Sequence, residues 1–506
     1  MQSMKVVSGA LVAAALLAGA VDARSEEIVI LHTNDTHSTI DPAHDGQGGI
    51  LRRKVVVDSV RTVHPEMILI DAGDAVQGTL YFTLFGGEVE RVMMDDMGYD
   101  IRILGNHEFD SGMEPLTREV SKSKAQWLTT NYDMSDTPLD TLFTPYIIKE
   151  VAGRKIAFIG INLNPEGMIS AANCKGVKYL DGIKAANATA WHLKHNERAD
   201  MVIAVSHVGY DVAHKPGDVD IAGASEDIDI IIGGHSHTLI DSSKSGGPAW
   251  RVANAAGDSV LVVQAGALGR YVGEIDIDPA TLSARSSLIK VDSRLDGRID
   301  AGAAALLQPY RHDVDSILGI KIGKASAIIA KADNSLVNLI TDIVKATGDR
   351  INGAPVDLAI MNKGGIRCDM PAGDVTRGLV MQMLPFDNRV VVMDIKGSDL
   401  AAGFDVMASR GGDGVSGATA VFDPRTSRCT EIKIDGKPLD PDKIYRIATI
   451  DYLATGGDYM RSFKNGVETS RSPEILYEDI IRYISNGPLR GKKIKPDTTA
   501  RMKPQL

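Results

Sequence analysis

Short apolar segments recur through the first half of this chain and repeatedly run straight into polar turns, most of them containing glycine. The runs are Ile28 to Leu31, Met67 to Ile70, Ile101 to Leu104, Ile156 to Ile161, Met201 to Val205, Ile228 to Ile232 and Val260 to Val263. Each spans four to six residues, is rich in β-branched side chains and ends abruptly, as buried strands do. Helix-compatible stretches, such as Ile50 to Val63 and Gly182 to Glu197, lie between several of them. Strands alternating with helices predict an α/β layered domain.

The pattern changes near Arg294. Asp296 to Leu318 is rich in Ala, Leu and charge and reads as a connecting helix, with Pro309 expected to kink or break it. A second α/β pattern follows. Leu336, Leu339, Ile340, Ile343 and Val344 form a helical stripe, and Val356 to Met361, Val390 to Ile395 and Ile444 to Ile450 read as strands. A length of 506 residues accommodates two such domains and a large core. With 44% hydrophobic and 24% charged residues, the chain has an ordinary globular composition.

The net charge of -11 and the lack of a basic block argue against binding a nucleic-acid polymer, which needs clustered cations. An anionic small molecule would have to be drawn in by metal ions or by a few local arginines. At the N-terminus, Lys5 precedes an apolar run from Val6 to Ala20 and then Val21-Asp22-Ala23, which reads as a cleaved secretory signal over 1–23. The run is shorter than the roughly 20 residues that a spanning helix needs. The expectation is a periplasmic or secreted protein without stable membrane insertion, and no obligate protein partner is evident. Cys174, Cys368 and Cys429 are the only cysteines, so at most one disulfide can form and no disulfide framework holds the fold.

Of 12 histidines, His312 alone lies beyond His237, which places imidazole chemistry in the first domain. Five occupy tight polar turns just after expected strands: His37, His107, His207, His235 and His237. Asp35, Asp74 and Asn106 sit in the same or equivalent turns. Strand ends in α/β sheets open on one crevice, so separated turns can deliver side chains to one place. Imidazoles with carboxylate and amide oxygens, and no nearby thiol, suit Zn, Mn, Fe or Co. Asp35, His37, Asp74, Asn106, His207, His235 and His237 exceed what one ion accepts. Two divalent ions about 3.5–4 Å apart, bridged by Asp74, fit better and match metal-assisted phosphoryl hydrolysis. His32, His44, His64, His192, His195, His214 and His312 lack this context and read as structural or surface residues.

The ordered blocks Asp35-x-His37, Gly73-Asp74-x-x-Gln77, Gly105-Asn106-His107-Glu108, Ser206-His207-x-Gly209 and Gly234-His235-x-His237 resemble those of calcineurin-like metallophosphatases. The flavours His32-Thr33-Asn34-Asp35-Thr36-His37 and Asn106-His107-Glu108-Phe109-Asp110 resemble the 5'-nucleotidase branch. The resemblance implies a β-sandwich flanked by helices, followed by a smaller α/β 5'-nucleotidase C-terminal domain. It also implies one metal held by Asp35, His37, Asp74 and His237 and a second held by Asp74, Asn106, His207 and His235. His107 is then not a ligand but faces the phosphate and the leaving oxygen, with Asp110 orienting it.

In the second half, Asn362-Lys363-Gly364-Gly365-Ile366-Arg367, Leu384-Pro385-Phe386 and Tyr452-Leu453-Ala454-Thr455-Gly456-Gly457-Asp458 resemble the same family's substrate segments. By resemblance, Asn362 and Arg367 belong to the substrate site, Phe386 and Tyr452 sandwich a nucleobase, and Asp458 contacts the nucleoside. Arg367 is suited to gripping phosphate with two parallel hydrogen bonds. Two departures stand out. Tyr452 occupies a position where relatives often carry Phe, and Lys331 replaces another phosphate-binding Arg with a point charge.

The expected organisation is a signal at 1–23, a dinuclear metallophosphatase domain at 24–293, a connecting helix at 294–323 and a substrate domain at 324–506. The expected activity is hydrolysis of nucleoside 5'-monophosphates. Enzyme alternatives are a 2',3'-cyclic-nucleotide phosphodiesterase with 3'-nucleotidase activity, a UDP-sugar hydrolase and a thiosulfohydrolase. A catalytically silent nucleotide-binding protein is the non-enzyme alternative.

Overall fold

In the computed structural model, which describes residues 27–505 apart from 44, 213–215 and 245, the strand-and-turn pattern folds into two sheets laid face to face. The expected signal, His44 and His214 lie outside the described residues. The first sheet has seven strands in the order Ala284–Lys290, Tyr271–Ile277, Ile28–Thr33, Ile68–Asp71, Ile101–Ile103, Gln126–Leu128 and Phe143–Thr144. The second has six: Arg251–Ala253, Ser259–Val263, Ile230–Ile232, Met201–His207, Arg154–Asn162 and Tyr146–Val151.

Alternation along each strand explains why the central runs are almost wholly apolar. Ile28, Ile30, Ile68, Ile70, Ile101 and Ile103 point inward and meet Ile156, Phe158, Met201, Ile203, Val205, Ile230 and Ile232 of the other sheet. Their neighbours point outward to the flanking helices. Val29, Leu31 and Leu69 pack with residues of helices Ile50–Val63 and Glu88–Met97. On the opposite side Ala157, Ile159, Val202 and Ala204 pack with Ala186, Ala190 and Leu193 of helix Gly182–His195. Each Val, Leu, Ile, Phe or Met among these is worth about 1.5–3 kcal/mol when fully buried. A strand covered on both faces favours apolar residues at nearly every position, and one exception, buried Arg102, lays its guanidinium 4.3 Å from the centroid of the Trp127 ring. Tyr271–Ile277 and Ala284–Lys290, which the apolar runs did not reveal, bury one face and carry polar residues on the other.

Ile28–Thr33, Ile68–Asp71, Ile101–Ile103 and Gln126–Leu128 pair in parallel. In the second sheet, Arg154–Asn162, Met201–His207, Ile230–Ile232 and Ser259–Val263 do likewise. Parallel strands put all their carboxyl ends on one edge, and the two sheets bring two such edges together. The convergence expected of one open sheet is thus achieved by a pair of sheets.

Helix Ala301–Leu318 starts at Asp300, whose side chain accepts from the Ala303 amide. It continues through Pro309 without the break that the proline could have imposed. The carbonyl deprived of a donor there is that of Ala305, and both residues are exposed, where water can serve it. Ala303, Leu307 and Val314 anchor the buried side. The helix is fastened to the first sandwich by Tyr310 Oη, which donates to Glu88 Oε1 at 2.8 Å, and by the Arg311–Asp41 ion pair.

Beyond it lies a five-stranded sheet in the order Gly414–Ser416, Leu358–Met361, Ile444–Ile450, Val390–Lys396 and Val467–Arg471. Helix Ser335–Asn352 packs on it through Leu336, Val337, Ile340, Ile343 and Val344, with Leu339 only partly covered. Two smaller sheets complete this half. Among the described residues, no helix is long and apolar enough to cross a membrane.

Candidate metal centre and substrate cleft

Five polar turns meet at the shared edge. Asp35 and His37 follow Ile28–Thr33, Asp74 follows Ile68–Asp71, and Asn106 and His107 follow Ile101–Ile103. His207 ends its own strand, and His235 and His237 follow Ile230–Ile232. Asp35, His37, Asp74, His235 and His237 all adopt positive φ, at 49°, 45°, 53°, 75° and 55°. Each such backbone costs on the order of 1–3 kcal/mol in a residue other than glycine, so the surroundings must enforce it. Backbone bonds between turns do so: Asp35 N donates to Gly73 O at 2.9 Å, and His37 N to Asp74 O at 3.0 Å. The packing leaves no room for a side chain at Gly73, where a Cβ would stand 2.6 Å from Gly105 N and 2.8 Å from His207 Nδ1.

The side chains point at one another. His37 Nε2 and His237 Nε2 are 2.9 Å apart, and His237 Nε2 is 3.4 Å from Asp35 Oδ1. His207 Nε2 is 3.1 Å from Asp74 Oδ2, and His235 Nδ1 is 2.9 Å from Asn106 Oδ1. Among the described residues, three sets have donor atoms mutually within 4.8 Å: Asp35, His37 and His237; Asp74, His207 and His235; and His37, Asp74 and His107. Asp74 is common to the last two, which places it between the outer groups. All seven candidate ligands are therefore brought together.

The donor chemistry fits a cation at this centre. His207 Nδ1 lies 2.6 Å from the Ala72 carbonyl, so it carries a proton and donates there, while the buried Nε2 faces Asp74 without a hydrogen-bond partner. Burial lowers the pKa of His37 well below its ordinary value and takes His235 to about 3 and His237 to about 4. Neutral imidazoles keep a lone pair for a metal. Burial also raises the Asp35 carboxyl to about 7. His207 goes the other way. Although burial lowers it, the adjacent Asp74 and Asp35 carboxylates carry it up to about 10. That shift measures the negative potential at the centre, which a divalent ion would neutralise.

Glu108, quoted in a block but given no task by the sequence, holds two of these turns together. Its Oε2 accepts from Asp74 N at 3.0 Å and Gly105 N at 2.6 Å, and its Oε1 from Ala75 N at 2.9 Å. Asn34 is a second buried support, donating through Nδ2 to Asp35 Oδ2 at 2.6 Å and to Gly266 O at 2.8 Å.

His107 stands at the edge of the cluster, with Nε2 4.0 Å from Asp74 Oδ2 and Nδ1 2.7 Å from Asp110 Oδ2. Burial works against its charge, but Asp110 and Asp74 outweigh that and raise its pKa. Asn173 fixes the turn by donating to the Asp110 carbonyl at 2.9 Å. His107 and Asp110 also line a cleft of about 540 Å³ whose other wall carries Asn362, Arg367, Phe386, Tyr452 and Asp458. The structure therefore brings every expected substrate residue to the same opening as His107. The Phe386 ring lies 6.0 Å from that of His107, and the Arg367 guanidinium stands 5.9 Å above the Phe386 ring. Asp458 accepts from Asn362 Nδ2 at 2.6 Å and from Tyr452 Oη at 3.1 Å, so the extra hydroxyl of Tyr452 is absorbed within the cleft wall. Lys331 lines a neighbouring opening with His37, His237 and Arg367, and its Nζ donates to Ile366 O at 3.0 Å.

A two-sheet α/β sandwich with Asp, Asn and His donors gathered at its strand ends defines a metallophosphoesterase. Comparison with known proteins agrees: residues 28–239 match the calcineurin-like phosphoesterase family and residues 321–465 match the 5'-nucleotidase C-terminal domain. The chain therefore carries a calcineurin-like phosphoesterase domain followed by a 5'-nucleotidase C-terminal domain, and it is a phosphoester hydrolase. It is 29% identical to the protein UshA of Yersinia enterocolitica, over 86% of each chain. It is also 27% identical to the trifunctional nucleotide phosphoesterase YfkN of Bacillus subtilis, over 94% of this chain but only 35% of that longer protein. Among solved structures, the 5'-nucleotidase precursor of Thermus thermophilus superposes with a TM-score of 0.82 at 29% identity, covering 94% of this chain and 99% of that one.

Proposed function

We propose that the protein is an exported 5'-nucleotidase that hydrolyses the phosphate ester of nucleoside 5'-monophosphates at a two-metal centre. The observation that carries this reading is the single cleft joining His107 and Asp110 to Arg367, Phe386, Tyr452 and Asp458, beside the seven donor side chains. The family implies divalent metals, and the residues fit two of them. Asp35, His37, Asp74 and His237 would hold one, and Asp74, Asn106, His207 and His235 the other. Such a pair supplies a water of lowered pKa and neutralises charge on the phosphoryl oxygens.

The chain's own residues do the rest. Arg367 grips phosphate oxygens from the second domain. Phe386 and Tyr452 take the base between them by stacking, and Asp458, held by Asn362 and Tyr452, faces the nucleoside. Asp110 keeps a proton on His107 Nδ1 and favours the imidazolium, which delivers the Nε2 proton to the departing 5'-oxygen. The water oxygen bonds to phosphorus as the bond from phosphorus to the 5'-oxygen breaks, and the products are phosphate and a nucleoside. The proposed division is a leader at 1–23, the metal domain at 24–293, the connecting helix at 294–323 and the substrate domain at 324–506.

A phosphate-release panel tests this reading. It would cover 5'-, 3'- and cyclic nucleotides, UDP-sugars and simple esters, each before chelation, after it, and after adding back a divalent metal. Fastest release from 5'-monophosphates, lost on chelation and restored by metal, is expected. Undiminished release after full chelation, or preference for another ester, contradicts it.

A further inference from the structure

The turn Gly234–Thr238 bears two of the proposed ligands, His235 and His237, and both have left-handed backbones, with φ of 75° and 55°. A loop so strained does not hold its shape alone. Two buried side chains from outside the loop hold its backbone: Asp35, which accepts from the His235 amide at 2.9 Å, and Gln264, 1% exposed, just beyond strand Ser259–Val263. Gln264 Nε2 donates to Gly234 O at 2.9 Å, on one side of His235. Its Oε1 accepts from the Thr238 amide, on the far side of His237, and Ser236 Oγ lies 3.1 Å from the same oxygen. The partners fix the amide's orientation, because a carbonyl requires the NH2 end and an N–H requires the oxygen.

The clasp encloses both histidines. Ser236 Oγ also accepts from Tyr210 N at 2.9 Å, which ties the turn to the loop following His207. A Cβ at Gly233 would clash with Asp218 Oδ2 and come 3.2 Å from Gln264 Nε2, so the chain entering the turn is packed tight against both side chains. His235 and His237 belong to different ions in the reading above, and displacing the turn would alter both sites together.

We infer that Gln264 is a positioning residue for the metal pair, setting where His235 and His237 present their ring nitrogens. The inference rests on the assignment of these histidines as ligands. It requires an amide in this place: Glu at 264 keeps an acceptor for Thr238 but loses the donor to Gly234 O, and Met keeps the bulk but neither bond. Buried backbone groups left without partners would let the turn relax toward ordinary φ values.

The test is a Co2+ titration of the metal-free full chain, followed by its visible absorption, on the parent, Gln264→Met, Gln264→Glu and His235→Ala. Melting of each metal-free protein is recorded alongside. Gln264→Met is expected to bind Co2+ at least tenfold more weakly, with altered absorption bands, and Gln264→Glu to fall between it and the parent. Both should melt within a few degrees of the parent, and kcat at saturating metal should fall more than KM changes. Parent-like titrations and spectra for both Gln264 variants, with His235→Ala losing Co2+, overturn this inference alone. If His235→Ala also binds as the parent does, the ligand assignment falls with it. If both Gln264 variants fail to fold without metal, Gln264 is an anchor of the fold and the inference is wrong.

Discussion

Asp74 is the residue on which the centre turns. Its carboxylate faces His207, its Oδ1 accepts from the His107 amide at 2.8 Å, and its own backbone bonds to Glu108 and His37. Replacing it with Asn keeps the size and removes the charge shared by the two donor sets. Turnover should fall by several kcal/mol of transition-state stabilisation, on the order of a thousandfold. Retained activity at normal metal content would remove Asp74 from the bridging role. His107→Ala should behave differently, keeping metal content while slowing the chemical step by about 10²–10⁴-fold. Metal loss in that variant would make His107 a ligand. The pH profile separates the histidine from its partner. Asp74 and Asp110 raise the His107 pKa, so the imidazolium persists above the ordinary value and is lost as pH rises through the raised one. Asp110→Asn should move the alkaline limb of kcat to lower pH, and an unmoved limb would mean that another group carries the proton.

At the scale of elements, the turns do the assembling. Gly73 and Gly105 let two turns touch backbone to backbone, so Gly73→Ala, which also strains a φ of 88°, should weaken metal binding without altering the strands. Unchanged metal affinity would show that the turns tolerate separation. On the substrate wall, Tyr452→Ala should raise KM for a nucleotide more than for an aryl phosphate, because only the former has a base to stack. Equal losses would argue against stacking. This scale also shows what was legible in the sequence. The turn residues could be read because His, Asp, Asn and Gly cluster where apolar runs stop, and because the central strands are buried on both faces. Glu108, Asn34 and Gln264 could not be read for their roles. A buried carboxylate or amide that binds the backbone of a distant turn leaves no periodicity, and its partners are fixed only by tertiary packing. That the helix is not broken at Pro309 was hidden for a similar reason, since the exposure of Ala305 and Pro309 lets water serve the freed carbonyl.

For the whole molecule, the two halves meet across the cleft that holds His107 on one side and Phe386 on the other. Metal should stabilise the first half selectively. At a concentration one hundred times the dissociation constant, one site adds about 2.7 kcal/mol to the folded state, so chelation should lower the first melting transition by several degrees. A transition indifferent to chelator would place the ions elsewhere. If the proposed leader is removed, N-terminal sequencing of the mature protein should begin at residue 24, and an intact N-terminus would contradict cleavage. The central claim is that two sheets pool their strand-end side chains around a shared pair of ions. Anomalous diffraction from crystals loaded with Mn2+ tests it most directly. Two peaks about 3.5–4 Å apart, with Asp74 between them and His37, His207, His235 and His237 around them, are expected. A single peak, or peaks remote from Asp74, would contradict the account.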